Sequence, residues 1–256
     1  MALTVHSSWM QKGGNSEAEY EDAFGFRGGT QWVAPRNQSW CRVAIADGAT
    51  DSWCSGLWAG LLVEAAIQGK LKPSQFIDRF EQLREQWRRD AIPPDLSWVS
   101  EEKARGGGHA AVLSVSVRPQ DSSGSPGTWS AWAIGDCCLF HLRSGQLVTS
   151  LPYTRPEEFT CSPELLGTAT PKDEISLLVS QFEGTWLPGD EFLLATDAMA
   201  LWCLKQVNDE AKYDKAILDE ATRPQSRNKF ADWVTQARES GQLRNDDTTL
   251  VSLQTG

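Results

Sequence analysis

The residues of this chain best suited to chemistry are acids standing where apolar runs begin or end. Asp22 follows Glu21 at the head of EDAFGF, and Asp47 closes RVAIAD just before Gly48. Asp136 follows Gly135 after AWAIG, Asp197 closes EFLLATD, and Asp246 and Asp247 open DDTTLVSL. One Asp at such a tip needs no explanation beyond capping a helix or opening a turn. Five such tips in one chain suggest a carboxylate cluster, and oxygen-only clusters suit hard cations such as Mg²⁺ or Mn²⁺. Two such ions roughly 3.5–4 Å apart can hold and activate a water for in-line attack on phosphorus. The soft-ligand alternative is poorly supplied. His6, His109 and His141 are the only histidines, and Cys41, Cys54, Cys137, Cys138, Cys161 and Cys203 form no CxxC.

The elements that must carry these acids are legible in outline. Strands are expected at Ala23–Arg27, Trp40–Ala46, Ala110–Val117, Trp129–Ile134, Cys138–Leu142, Ile175–Leu178, Glu191–Ala195 and Thr248–Leu253. Several are continuously apolar, as strands covered on both faces are. Helices are expected at Ser55–Gln68, Ser74–Arg89, Met199–Asn208, Lys212–Ala221 and Ser226–Ser240. In the second of these, Phe76, Phe80, Leu83 and Trp87 form one stripe. Strands, then helices, then strands, then helices is not the alternation of a parallel doubly wound sheet. An α+β sandwich of mainly antiparallel sheets with helices outside fits better. The segment PQDSSGSPG, Pro119–Gly127, reads as a hairpin loop, so residues 1–256 are read as one domain.

Composition narrows the function. Lys and Arg total 24 against 34 Asp and Glu, a net charge of −10 with no basic block, which disfavours nucleic acid as a partner. No run approaches the roughly 18 apolar residues of a membrane span, and MALTVHSSWM lacks the marks of a signal peptide. With scattered thiols, this points to a cytoplasmic protein of reduced cysteines and no membrane partner.

Six short motifs, taken together, resemble the protein phosphatase 2C family of metal-dependent serine/threonine phosphatases. They are Glu21-Asp22-Ala23, Ala46-Asp47-Gly48, Gly106-Gly107-Gly108-His109-Ala110-Ala111, Ile134-Gly135-Asp136, Ala195-Thr196-Asp197 and Asn245-Asp246-Asp247-Thr248-Thr249. The resemblance runs from Glu21 to Leu253 and implies a four-layer α/β/β/α sandwich. It implies phosphomonoester hydrolysis of phosphoproteins with two manganese or magnesium ions and a third, weaker one. Asp47 would bridge the two ions, with the Gly48 carbonyl on the first and Asp197 and Asp246 on the second. Glu21 and Asp22 would orient bound waters, and Asp136 with Asp197 would hold the third ion. Asp247 stands where the family often has Asn and is expected to be structural.

The chain departs from that family in places. DGATDSW replaces the usual DGxGG, Thr196-Asp197-Ala198 replaces SDG, and Ala49 stands where eukaryotic members have a histidine. Glu17 occupies the position of the Arg that holds the substrate phosphate in many members. These losses keep a second reading open, a phosphatase-like binding or regulatory module with little or no activity. Lys12-Gly13-Gly14 is expected as a surface loop, Gly106–Gly108 as a tight turn, and His109 as a satisfied polar residue rather than a base. Trp9, Trp32, Trp40, Trp98 and Trp186 are candidates for a partner-facing surface.

Overall fold

Runs such as RVAIAD and AAVLSVSV carry no polar alternation, so both faces of the strands they form need apolar cover. A computed structural model shows how that cover is provided; it describes residues 3–28, 40–71, 76–92, 98–118, 126–207 and 227–256. In chain order its elements are β1 (Leu3–Met10), β2 (Ala23–Gly28), β3 (Cys41–Gly48), α1 (Ser55–Ile67), α2 (Phe76–Ala91) and α3 (Trp98–Gly106). There follow β4 (His109–Arg118), β5 (Gly127–Ile134), β6 (Cys138–Arg143), β7 (Gln146–Leu151), β8 (Leu166–Gly167) and α4 (Lys172–Leu178). The last are β9 (Ser180–Trp186), β10 (Asp190–Ala195), α5 (Asp197–Gln206), α6 (Arg227–Glu239) and β11 (Thr248–Thr255). One sheet has the order β1-β11-β10-β6-β7, and the other β2-β3-β4-β5-β9 with β8 against β4. The neighbouring strands are antiparallel.

The period of two in each strand sorts its residues between cores. Val43, Ile45, Leu113, Val115, Phe192, Leu194, Val251 and Leu253 fill the space between the sheets. Their alternates Ala44, Ala46 and Val112 turn outward to Trp58, Leu62, Phe80 and Trp87 of α1 and α2. On the other side Phe140, Leu193 and Leu250 pack on Met199, Cys203, Phe230 and Val234 of α5 and α6. The result is an α/β/β/α sandwich, the layering expected from the motifs. Phe76, Phe80, Leu83 and Trp87 are all buried, as the stripe on α2 requires. Cys137 and Cys138, consecutive in sequence, fall into different cores.

Several expectations are corrected. Ile175–Leu178 is the end of helix α4, not a strand; Pro171 stands at its N-cap and Asp173 and Glu174 lie in its first turn, where acids complement the helix dipole. Trp186 is fully buried, so it is no surface candidate, whereas Trp98 is exposed. Strands β1, β7 and β9 and helix α3 carry no clear apolar signal and were not anticipated. Lys212–Ala221, Trp32 and most of the Pro119–Gly127 loop lie outside the described residues, although β4 and β5 are antiparallel neighbours as a hairpin demands.

Register gathers the acids. Ala23 pairs with Ala46, Gly48 with Ala110, and Val112 with Ile134, so Asp22, Asp47 and Asp136 leave one sheet at the same end. Ala195 pairs with both Leu250 and Cys138, which brings Asp197, Asp246 and again Asp136 to one end of the other sheet.

Candidate functional site

At that end lies a cleft of about 490 Å³ whose wall includes Asp47, Gly48, Asp136, Asp197, Asp246 and Arg244. Asp47 continues the parity of Val43 and Ile45 and so faces the rim of the space between the sheets. Gly135 turns the chain with φ +86, and a Cβ there would stand 2.6 Å from the Ala111 side chain. Only glycine adopts that backbone without strain, which fixes how Asp136 is presented.

Asp22 and Glu21 approach from β2. The hydroxyls of Thr196 and Thr249 donate to Asp22 Oδ2 at 3.0 and 2.6 Å, and Tyr20 is hydrogen-bonded to Thr249 Oγ1. Asp22 Oδ1 is buried and has no hydrogen-bond partner. Ser55, in the first turn of α1, donates to Glu21 Oε1. Gly48 is the contact point of these pieces: a Cβ on it would meet the Glu21 carbonyl oxygen at 2.7 Å and the Ser55 backbone at 2.9 Å. Asp247 accepts the backbone N–H of Lys12 at 2.7 Å and of Glu21 at 2.6 Å, a fixed structural acceptor.

Crowding shows in the electrostatics. Burial, then the charges of Asp22, Asp197, Asp136 and Asp246, push the Asp47 carboxyl well above the ordinary range. Burial and then Asp197 raise Asp136 to about 7. Asp22 is raised chiefly by burial, against the opposing hydrogen bond from Thr249. Asp197 is raised by burial and then by the charge of Asp246. Repulsion of this kind is relieved by a cation or a shared proton.

Two cations already touch the cluster. Lys12 Nζ stands 3.4 Å from Asp246 Oδ1, and Arg244 Nη1 stands 3.3 Å from Asp197 Oδ2. The Lys12 loop is therefore no free surface loop: Gly13 N–H also donates to Asn245 Oδ1 at 2.7 Å, and Asn245 returns a bond to the Gly13 carbonyl at 3.2 Å. Glu17 is exposed and does not line the cleft. His109 is half-buried: its N–H donates to Ser52 Oγ at 3.0 Å, its carbonyl accepts from Ala49 at 2.9 Å, and burial lowers its imidazole pKa. It lines a smaller hollow of about 270 Å³ that shares Ala49, Asp51 and Leu165 with the cleft. Gly107, at φ +78, makes the expected tight turn.

Sequence reasoning missed Arg244, the threonine clamp on Asp22, and Arg238. From α6, Arg238 donates to the carbonyls of Gln11 and Asp246 and to Thr248 Oγ1, tying the loop before β11 to β1. The signal for Arg244 was its place two residues before Asp246.

The donor chemistry fits hard divalent ions: the acids are oxygen donors, they repel one another, and one buried carboxylate oxygen lacks a partner. Among the described residues, no three His, Cys, Asp or Glu side chains converge on a single point as they stand. Asp246 and Asp197 are instead paired with Lys12 and Arg244.

No protein-family profile matches the sequence, and no curated protein matches it significantly. Solved structures do. The catalytic domain of the serine/threonine protein phosphatase PstP, in complex with two manganese ions, is 16% identical, covers 99% of this chain and 98% of its own, and superposes with a TM-score of 0.58. The photosystem II phosphatase PBCP is 15% identical over 99% of each chain, with a TM-score of 0.57. The PPM phosphatase MsPP of Mycobacterium smegmatis, in complex with cacodylate, is 17% identical over 100% and 99%, with a TM-score of 0.54. Likeness at such low identity speaks to architecture alone, and it agrees with the sandwich of two mainly antiparallel sheets flanked by helices described above. The chain has the fold of the PPM-type serine/threonine phosphatases, the protein phosphatase 2C architecture that its motifs resemble.

Proposed function

We propose that the chain is a metal-dependent phosphatase acting on phosphoserine or phosphothreonine in proteins. The reading is carried by one observation: Asp22, Asp47, Asp136, Asp197 and Asp246 meet at one end of a sheet sandwich with this fold, close enough that, after burial, the charges of the other four raise the Asp47 carboxyl. Asp47, the Gly48 carbonyl, Asp197 and Asp246 would hold two Mn²⁺ or Mg²⁺ ions, and Asp136 with Asp197 a third. When bound, such ions supply positive charge for the phosphoryl oxygens and an activated water for in-line attack. The protein's own part is orientation. Thr196 and Thr249 fix Asp22 so that Oδ1 is left to accept a hydrogen bond from water, and Ser55 and Asp247 hold Glu21 beside it. Ala49 supplies no imidazole acid, so protonation of the leaving oxygen falls to solvent or to a carboxyl of the cluster.

A second reading, a binding or regulatory module, is favoured by the pairing of Asp197 and Asp246 with Arg244 and Lys12. Hydrolysis of p-nitrophenyl phosphate with Mn²⁺, and with excess chelator, separates the two. Turnover that needs the ion is expected. Inactivity of folded protein with ions bound would favour the module, and turnover surviving exhaustive chelation would remove the metal mechanism.

A further inference from the structure

A phosphomonoester enters as an anion, and nearly all the charged side chains on the wall it meets here are carboxylates. Among the described residues lining the cleft, the one cationic side chain is Arg244. Among the described residues its guanidinium makes one polar contact, the 3.3 Å approach of Nη1 to Asp197 Oδ2, and the side chain is 47% exposed. The backbone carrying it is better held. Leu243 on one side is buried in the core beneath α5 and α6, and Asn245 on the other is bonded in both directions to Gly13. A fixed backbone with a lightly tethered fork suits a group that must reach a ligand and release it. Lys12 is the competing cation, but it does not line the cleft.

We infer that Arg244 is the phosphate-anchoring cation of this site, its guanidinium exchanging Asp197 for two oxygens of the substrate's phosphoryl group. The planar fork matches two phosphoryl oxygens at once, which an ammonium cannot do. The inference deepens the phosphatase reading and rests on it. It also assigns to this loop a task for which position 17, a glutamate on an exposed turn, has no cation.

The test uses the full chain loaded with Mn²⁺, as wild type, Arg244→Gln and Arg244→Lys, with inorganic phosphate titrated by calorimetry and p-nitrophenyl phosphate turnover measured beside it. Arg244→Gln is expected to weaken phosphate binding and raise KM about tenfold, the equivalent of roughly 1.4 kcal/mol, with Arg244→Lys between the two. Mn²⁺ affinity, titrated without phosphate, should stay level or rise, because a cation that competes for Asp197 has gone. Unchanged phosphate affinity in the Mn²⁺-loaded Gln variant would overturn the inference while leaving the phosphatase reading intact. Loss of Mn²⁺ binding in that variant would overturn it too, making Arg244 a strut for Asp197. Wild type that binds phosphate through Arg244 without turning over ester would remove the phosphatase reading and keep the anchor.

Discussion

Asp47 and Asp136 lie in the same cleft, yet their surroundings assign them different weight. Burial, and then four other carboxylates, disfavour the charged form of Asp47, so a bound cation would gain most there. Asp47→Asn should abolish Mn²⁺-dependent turnover, and calorimetry should record the loss of both principal ions. Asp136→Ala should keep those two ions and slow turnover, since only the third position is lost. Both principal ions vanishing in Asp136→Ala would contradict that assignment. Asp22 is governed by its hydroxyl donors. Thr249→Val leaves Thr196 as its remaining hydroxyl donor and removes the partner of Tyr20, at an expected cost of about 1–3 kcal/mol of stability. Thr249→Ser keeps both bonds and should recover most of it, as read from urea unfolding midpoints.

Between elements, a tight seam beside the cleft is where β2, β3 and α1 meet at Gly48. A methyl group there must push the Glu21 carbonyl or the first turn of α1, neither of which is a flexible side-chain end. Gly48→Ala should therefore lower stability by about 1–3 kcal/mol and weaken Mn²⁺ binding as Glu21 shifts. An Ala variant with wild-type melting and ion affinity would show that the seam relaxes freely. The same level explains what the sequence disclosed. Runs buried on both faces, such as β3, β4 and β10, announce themselves, and an acid at their tip is then conspicuous. Strands β1, β7 and β9 lie at sheet edges with mixed exposure, so their patterns carry little signal. The run Ile175–Leu178 is too short for periodicity to separate strand from helix. Arg244 was legible only as a cation two residues before Asp246; its role depends on which cavity the guanidinium borders, and spacing alone does not encode that.

At the scale of the whole molecule, the proposed ion site would make stability depend on ions. An ion bound only by the folded state should raise the melting temperature, with about 2.7 kcal/mol of stabilisation at a hundredfold excess over Kd, reversed by chelator. A melting point indifferent to Mn²⁺ would argue against a folded-state site. Stability should also depend on acid at a point far from the cleft. His141 on β6 is bonded to Asp190 on β10 at 2.8 Å and stacks on Phe192 at a centroid distance of 4.5 Å, and Arg143 holds Asp190 through two bonds of 2.8 and 2.7 Å. Burial keeps the His141 pKa below its ordinary value although Asp190 opposes this. Burial would raise Asp190, but its bonds from Arg143, the Leu187 N–H and His141 together hold it below the usual range. In both cases the unfolded chain binds the proton more readily, so stability is full above the unfolded pKa and falls as pH drops through the folded one. For His141 the loss begins below about pH 6.5, and for Asp190 below about pH 4. The urea midpoint of wild type should fall between pH 7 and pH 5, and His141→Gln should flatten that difference; an identical slope in the variant would place its origin elsewhere. One consequence concerns time. β11 lies between β1 and β10, and β1 and β11 pair residues as far apart as Leu3 and Thr255, so the start of β11, which carries Asp246, is placed by the most distant strand pairing among the described residues. A polypeptide leaving the ribosome would carry β1 and β10 with open edges until β11 emerges. Its cleft could not be complete before then, and during synthesis those two exposed strands, rather than the finished surface, are where a chaperone would be needed.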